Sequence, residues 1–421
     1  MRRLPGSKRC AARAAGVALA ALAALAALLD APSAFAQETL LPNSSWGGAP
    51  VFSTWHFSTP IAQSAGAVSD VQQFAVPLRV RTVLGGRWTL DVSGAAAAST
   101  VTLQGGGTNG AHPTMSGSTS LTLNGLTDVR VRVSGSLADD RILVTGGLNL
   151  PVGTTGLDAD QTSALQAVGA PALHMPVGAL GMGPGVTLGI VGARESGPWA
   201  LALGASLEER TEYTPIELAL ASGTSLTKVS PGTALHLTFG ADRAVGEHRL
   251  GLLLVADAYA KDRVTVGLGG GGTASSDYTL GPQVSAIGSL DLSAPGWRDA
   301  NGSVALRYRS AFSDASGATV SGSSGTYLEA AVSGVRGAAT GRGIILGLDA
   351  RYHSGLSFTS ALVGAAATAA GVTVGVELPS TAMTTRLALH GQFGHFSTGT
   401  SSSNGIGLAL VCAIAARREA R

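Results

Sequence analysis

The stretch NGSVALRYRS (residues 301–310) alternates apolar and basic side chains. Its apolar members are Val304, Leu306 and Tyr308, and its basic members are Arg307 and Arg309. Successive side chains of a β-strand point to opposite faces, so the stretch predicts a strand with one apolar face and one wet, charged face. An ordinary half-buried sheet has this pattern, and so does a membrane barrel whose apolar face points outward into lipid.

The same alternation recurs along the chain in segments of about 9 to 12 residues, the length that a tilted strand needs to cross a bilayer. Clear examples begin at Phe74, Trp88, Val129, Leu235, Ile344, Val372 and Ile406. Beyond the N-terminal region we find no run of about 18 apolar residues, so we expect no helical membrane span. Turn sequences such as LGGR (84–87) are interspersed with longer Ser/Thr/Gly-rich connections such as residues 104–118.

Strands in lipid must close into a barrel, because an open sheet edge would leave backbone groups without hydrogen-bond partners. We therefore predict an all-β protein, a transmembrane antiparallel outer-membrane β-barrel of about 14 strands, with 12 to 16 possible. A secreted structural β-protein, such as a sandwich, is the alternative fold. It would not need so many apolar rows in a chain with only 13% charged residues.

The N-terminal 36 residues have the features of a cleaved signal peptide. A basic region containing Arg2 and Arg3 precedes an apolar core, and Ala34-Phe35-Ala36 supplies the cleavage pattern. We assign residues 1–36 to the signal peptide and residues 37–421 to the barrel domain, exported to the bacterial outer membrane. The mature chain would keep Cys412 but not Cys10, so no disulfide framework is expected.

Two segments resemble a known group of transporters. LTLNGLTDVRVRVSG (121–135), followed by ILVTGGLNLPVG (142–153), resembles outer-membrane transporters of hydrophobic compounds, the long-chain fatty-acid channel and phenol meta-pathway transporter-like barrels. Residues 164–190 resemble the next part of those proteins, where a loop precedes a fresh strand. The chain lacks the Asn-Pro-Ala plug signature of the fatty-acid channels, and it ends AARREAR where many barrels end in an aromatic residue. The resemblance implies passive uptake of small hydrophobic or aromatic molecules.

Two sets of residues are candidates for the site. Charged residues on the polar faces of the strands are expected to line the lumen: Arg79, Arg81, Arg130, Arg132, Asp257, Arg307, Arg309, Asp349, Arg351 and Glu377. They could set anion selectivity, hold a plug by ion pairs, or only neutralise one another. A hydrophobic segment is expected to fold into or over the lumen, with Leu165, Leu173, Met175, Leu180 and Met182 as its apolar members. It could instead be an ordered surface loop.

Other functions have weaker support in the sequence. A general aqueous porin would show the same alternation and the same charges. An outer-membrane phospholipase-like enzyme needs a serine beside a histidine, and His395 and Ser397 have that spacing but lack an adjoining Asn-Gly. We therefore predict no enzyme activity. The eight histidines form no metal-ligand spacing, so we expect no metal and no cofactor. A net charge of +2 gives no reason to expect nucleic acid as a partner. The expected partners are outer-membrane lipid, a small hydrophobic solute and the barrel assembly machinery.

Overall fold

A computed structural model describes residues 46–63, 66–85, 87–104, 117–220, 223–268, 272–337, 341–355, 366–380, 383–397 and 402–416. The predicted signal peptide lies outside these residues. Within them the chain forms strands with one α-helix and one 3-10 turn. The first strands are β1 Trp46–Gly48, β2 Val51–Gln63, β3 Gly66–Gly85, β4 Trp88–Gln104, β5 Ser118–Leu126, β6 Val129–Leu137, β7 Ile142–Leu150, β8 Gly185–Ser196 and β9 Trp199–Arg210. The helix α1, Ala159–Val168, lies between β7 and β8, and the 3-10 turn, Pro171–Leu173, follows it.

The remaining strands complete the barrel and a small second sheet. They are β10 Tyr213–Leu220, β11 Gly223–Ser230, β12 Ala234–Val245, β13 His248–Tyr259, β14 Lys261–Leu268, β15 Gly272–Thr279, β16 Gln283–Leu292, β17 Trp297–Arg309, β18 Gly325–Gly337, β19 Gly343–Ser354, β20 Ala366–Pro379, β21 Met383–Ser397 and β22 Ser402–Ala416. Strands β10, β11, β14 and β15 form a separate four-stranded sheet.

The main sheet closes on itself, and the predicted all-β barrel is confirmed. Each strand pairs antiparallel with its neighbour around the ring, and β2 pairs with β22 to close it. Strands β1 and β2 act as one wall strand interrupted at Ala49 and Pro50, and β5 and β6 act as another interrupted at Thr127 and Asp128. As far as the chain is described, the wall therefore has sixteen strands, within the predicted range and two above its central value.

The connections at the two ends of the barrel differ in length. One end has tight turns, such as those between β8 and β9 and between β12 and β13, where Gly197 and Gly246 adopt φ of +59° and +62°. Glycine adopts such left-handed conformations without steric cost. The other end has long connections, two of which form the four-stranded sheet. Short periplasmic turns and long extracellular loops are the arrangement of outer-membrane barrels, so the long connections mark the extracellular end.

The outer face of the wall is apolar. Val304, Leu306 and Tyr308 are 52%, 46% and 50% exposed, as the alternation in NGSVALRYRS predicts, and rows of exposed leucines, valines and isoleucines continue on the neighbouring strands. A closed barrel with an outward apolar band is a structure that satisfies its backbone within lipid. The chain is thus an outer-membrane β-barrel protein. No helix in the described part of the chain is long and apolar enough to cross a membrane.

The wall formed by β2 to β5 reverses its polarity towards the extracellular end. In the periplasmic part of β3, Leu78 and Val80 face outward while Arg79 faces the lumen. Nearer the extracellular end of the same strand, Gln72 faces outward and Val71 is fully buried on the inner face. An apolar inner surface would be in contact with water unless other residues of the protein cover it. The buried inner face therefore indicates that part of the chain fills this half of the lumen.

Candidate functional site: a partly filled lumen

The connection between β7 and β8, residues 151–184, runs across the interior of the barrel, and we call it the luminal segment. Its helix α1 packs on β3, β4 and β5, and its 3-10 turn packs on β19 and β20. These strands lie on different parts of the ring, so the segment must cross between them inside the wall. Asp158 caps the helix by accepting from Gln161 N at 2.8 Å, and the Gln161 side chain accepts from Asp158 N at 3.1 Å.

Two buried side chains of the wall anchor the middle of the luminal segment. Trp55 donates from Nε1 to the Leu173 carbonyl at 2.9 Å. Gln73, 1% exposed, accepts from Val177 N through Oε1 and donates to Val177 O through Nε2, both at 2.8 Å. This paired amide contact satisfies the backbone of Val177, which lies outside the strands, and losing either side would leave a buried polar group unpaired.

Asp128 fixes the two ends of the luminal segment where they leave the wall. The buried carboxylate accepts from Gly153 N at 2.9 Å, from Met182 N at 2.7 Å and from the Asn149 side chain at 2.8 Å. Because Asp128 occupies the break between β5 and β6, the irregularity in the wall is also the attachment point of the segment. One carboxylate thus ties the entry and the exit of the segment together.

The apolar residues predicted for this segment lie in one shared core. Leu165, Leu173, Met175 and Leu180 are 5% exposed or less, and they form part of a cluster with the inner faces of the wall. Met182 is half-buried, with its sulfur 3.9 Å from Arg210 Nη1. Phe396 belongs to the same core, since it faces inward at 1% exposure with its ring edge against Trp55. Phe393, on the same strand, faces outward.

The register places all ten charged candidates on the luminal face. Four of them, Arg79, Asp349, Arg351 and Glu377, form the hydrogen bonds and ion pairs described next. Arg79 donates to Asp91 at 2.6 Å and 2.8 Å. Glu377 accepts from Arg386 at 2.7 Å and lies 3.0 Å from Arg298. Asp349 lies 2.7 Å from His390 Nε2 and 3.7 Å from Arg351, which also donates to Gln392. The pairs Arg79–Asp91 and Glu377–Arg386 join adjacent strands, whereas Asp349–His390 and Glu377–Arg298 reach past a neighbouring strand across the polar face.

A second group of luminal residues forms a belt that sequence reasoning missed. Arg210 donates to Glu208 at 2.5 Å, His236 lies 2.7 Å from Asp257, and Gln283 donates to Asp257 at 3.0 Å. The belt crosses β9, β12, β13 and β16, and of its members the sequence singled out Asp257 alone. The alternation of WALALGASLEER (199–210), with its leucines outward, could have placed Glu208 and Arg210 in the lumen.

The lumen remains open beside the belt. Arg130 and Arg132 face inward on β6, opposite Asn149 and Gly147, and yet both side chains are exposed. Within the described residues neither guanidinium forms a hydrogen bond, and the acids near Arg130 act on it only at longer range. Exposed inward-facing side chains require water in the lumen, as expected for a barrel of this strand number.

An apolar patch lies on the luminal face of β13 and β16. Leu253 and Ile287 are direct cross-strand partners on that face, Val255 is the next inward residue on β13, and all three are half-buried. On the periplasmic side of the patch, Arg249 and Asp242 are hydrogen-bonded at 2.7 Å and 2.9 Å. The lumen therefore offers apolar contact surface between two charged levels.

In the described residues no metal ligands are grouped, and the histidine of the phospholipase-like alternative lies on the outer face of the barrel. In the described ranges no three His, Cys, Asp or Glu side chains are grouped so that they could hold a metal. His395 lies 2.9 Å from Asn404 Oδ1 on the outer side of β21, away from the luminal belt.

Comparison with solved structures finds outer-membrane proteins at low similarity. No family model and no curated protein matches the chain. Among solved structures, OprB of Pseudomonas putida matches with 11% identity and a TM-score of 0.40, covering 90% of this chain and 96% of that one. The CymD monoaromatic hydrocarbon channel matches with 10% identity and a TM-score of 0.38, covering 90% of each. A bacterial polysaccharide outer-membrane secretin matches with 9% identity and a TM-score of 0.40, covering 89% and 100%. At these values the likeness carries no information on the solute.

Proposed function

We propose that the protein is an outer-membrane channel for passive uptake of small hydrophobic or aromatic molecules. The observation that carries the proposal is the apolar patch of Leu253, Val255 and Ile287 on the luminal face of an otherwise polar, water-containing lumen. The inner wall of an aqueous pore is polar, so apolar side chains there add weak, non-directional affinity for an apolar solute. The luminal segment narrows the barrel, which keeps passing solutes close to this patch.

The charged residues have a supporting role in the proposal. The luminal belt and the pairs around Asp349 and Glu377 hold the polar wall in register, while Arg130 and Arg132 offer free donors to the passing solute. A small aromatic molecule that carries a negative group would use both surfaces. Leu165, Leu173, Met175 and Leu180 hold the luminal segment on the wall, and Met182 alone among the five has a partly exposed side chain.

A general aqueous porin is the second candidate, and the exposure of Arg130 and Arg132 to luminal water favours it. Solute flux into proteoliposomes separates the two. For the proposed channel, small aromatic solutes enter faster than sugars of similar size, and a Leu253→Asn, Ile287→Asn variant loses that preference while it keeps its sugar flux. Ser289→Asn on the same luminal face is the matched control and leaves both fluxes unchanged. Equal sugar and aromatic fluxes in the unaltered protein would favour the porin instead.

A further inference from the structure

A groove lies on the lipid-facing side of the barrel, away from the lumen. It has a volume of about 500 Å³ and is lined by Trp199, Leu201, Ala241, Leu250, Leu252 and Gly288. Its cause is local side-chain size, because Ala241 lies between Leu201 and Leu252 in register, and Gly288 lies beside Leu252 on the next strand. Small side chains in a row of leucines leave a depression in the apolar surface.

Arg243 lies at the periplasmic end of this groove. The register places it directly between Trp199 and Leu250 on the outer face, two residues before the β12–β13 turn. Its guanidinium lies over the Trp199 ring, 5.4 Å from the centroid. The neighbouring Asp242 faces the lumen and bonds Arg249, so it is not a partner for Arg243.

Among the described residues, no protein group is a hydrogen-bond partner for the polar atoms of Arg243. Its Nε is buried without a hydrogen bond, and the described part of the chain offers no acceptor to the rest of the guanidinium. A cation at the edge of an apolar band needs an anion or water to offset its desolvation. Tryptophan side chains at the ends of membrane strands lie at the level of the lipid headgroups, so Trp199 places Arg243 beside lipid phosphates, which are hydrogen-bond acceptors.

We propose that this groove is a binding site for one phospholipid of the periplasmic leaflet. One acyl chain lies along Leu201, Ala241, Leu252 and Gly288, and the phosphate accepts charge-assisted hydrogen bonds from Arg243. The apolar lining separates this acyl chain from the neighbouring lipids of the bilayer. Arg243 holds the headgroup at the periplasmic end of the groove. This site is independent of the lumen and of the proposed transport.

The test is lipid retention by the full-length protein, purified in detergent and titrated with phosphatidylglycerol while native mass spectrometry counts the bound molecules. The site predicts one phospholipid that outlasts the rest during delipidation. Arg243→Gln weakens its binding about tenfold, and Ala241→Leu, which fills the groove with a side chain suited to the lipid face, abolishes it. The heat-dependent gel mobility of each variant shows whether its barrel is intact.

Arg336→Gln is the matched control, because Arg336 is also an outward-facing arginine opposite a tryptophan, Trp297, at the same end of the barrel. It retains the lipid as the unaltered protein does. Glycerol 3-phosphate, which has the headgroup chemistry without the chains, does not displace the bound molecule. Equal retention by Arg243→Gln, Ala241→Leu and Arg336→Gln would overturn the proposal, as would displacement by glycerol 3-phosphate or occupation of the groove by a second copy of the chain.

Discussion

The apolar side chains of strand β3 face outward at one end of the strand and inward at the other. Near the periplasmic end, Leu78 faces lipid and Arg79 faces the lumen, as in a membrane barrel. Near the extracellular end, Gln72 faces outward and Gln73 packs inward against the luminal segment, as in a soluble protein. Strand β4 makes the same change, with Asp91 inward at one end and the fully buried Val101 inward at the other.

The difference shows that one strand can belong to two environments. The outward apolar row ends where lipid ends, and the inward apolar row begins where the luminal segment covers the wall. The opposite wall, from β12 to β17, keeps polar and charged side chains on its luminal face, among them His236, Asp257 and Arg309, up to the extracellular end of the barrel. The covered wall narrows the lumen, and the uncovered wall faces the part of the lumen that stays open.

Removal of the luminal segment is expected to have the largest effect. Thr154 O accepts from Gly181 N at 3.0 Å, so residues 156–180 can be replaced by Gly-Ser without separating the two wall strands. Because the segment occupies the lumen, we expect single-channel conductance in planar bilayers to rise several-fold. The barrel, tested by heat-dependent gel mobility, should stay closed. An intact variant with unaltered conductance would show that the segment does not narrow the pore.

Trp55→Ala tests the covered half of the wall. The change removes a side chain that is 1% exposed, its bond to Leu173 and its contact with Phe396. We expect the free energy of unfolding to fall by about 3–5 kcal/mol, measured by urea titration in micelles. His56→Ala, one residue along and outward, is the control and should change it by less than about 0.5 kcal/mol. Similar losses in both variants would argue against an inner core.

Leu78→Arg and Gln72→Arg place the same charge on the same face of β3, on either side of the reversal. An arginine on the lipid face near the membrane centre costs about 2–4 kcal/mol, so the first variant should lose that much on refolding into lipid vesicles. The second lies above the apolar band and should lose less than about 0.5 kcal/mol. Equal costs would place both positions in one environment.

Arg130→Gln with Arg132→Gln tests the open, periplasmic part of the lumen, which β6 lines. Two exposed cations in the lumen attract anions, so we expect the anion preference, measured from reversal potentials in a salt gradient, to fall about twofold in the double variant. Arg194→Gln, on the outer face, is the control and leaves the preference unchanged. A reversal potential that does not move would assign these arginines a structural role.

The smallest expected effect is a pH dependence in the four-stranded extracellular sheet. Burial raises the pKa of Asp262, although a hydrogen bond from Gly232 N at 2.5 Å favours the charged form. A carboxyl with a raised folded pKa contributes stability below its unfolded pKa and loses it as pH rises through the folded pKa. The amide protection factors of residues 261–268, which are corrected for the intrinsic pH dependence of exchange, should therefore be larger at pH 4 than at pH 7. Asp262→Asn should reduce that difference, and an unchanged difference would assign it to other groups.

The barrel could be predicted from the sequence because its outer face is a simple signal. Rows such as Val304, Leu306 and Tyr308 repeat with period two over long segments, and that length distinguishes them from soluble strands. The strand count was less certain because Thr127 and Asp128, or Ala49 and Pro50, interrupt a wall strand without ending it. The period within each half does not reveal that the two halves are one strand.

The site was only partly accessible to sequence reasoning. The apolar members of the luminal segment stand out among Gly and Pro, but their anchors do not. Trp55 and Gln73 lie in stretches where the inner face is apolar and the outer face is polar. The usual pattern of a membrane strand, apolar outward and polar inward, therefore assigns the apolar face of these stretches to lipid instead of to the interior of the barrel. Asp128 has the appearance of a turn residue, and its bonds to Gly153 and Met182 exist only once the segment folds back.

The most direct test of the account is the accessibility of spin labels at Leu78→Cys and Gln72→Cys, each in a Cys412→Ser background and reconstituted in lipid vesicles. Collisions with oxygen, which concentrates in lipid, and with a water-soluble nickel complex are compared at the two positions. The account predicts that the label at position 78 meets oxygen and the label at position 72 meets nickel. If both labels meet the same reagent, the polarity reversal is contradicted, and with it the covered half of the lumen.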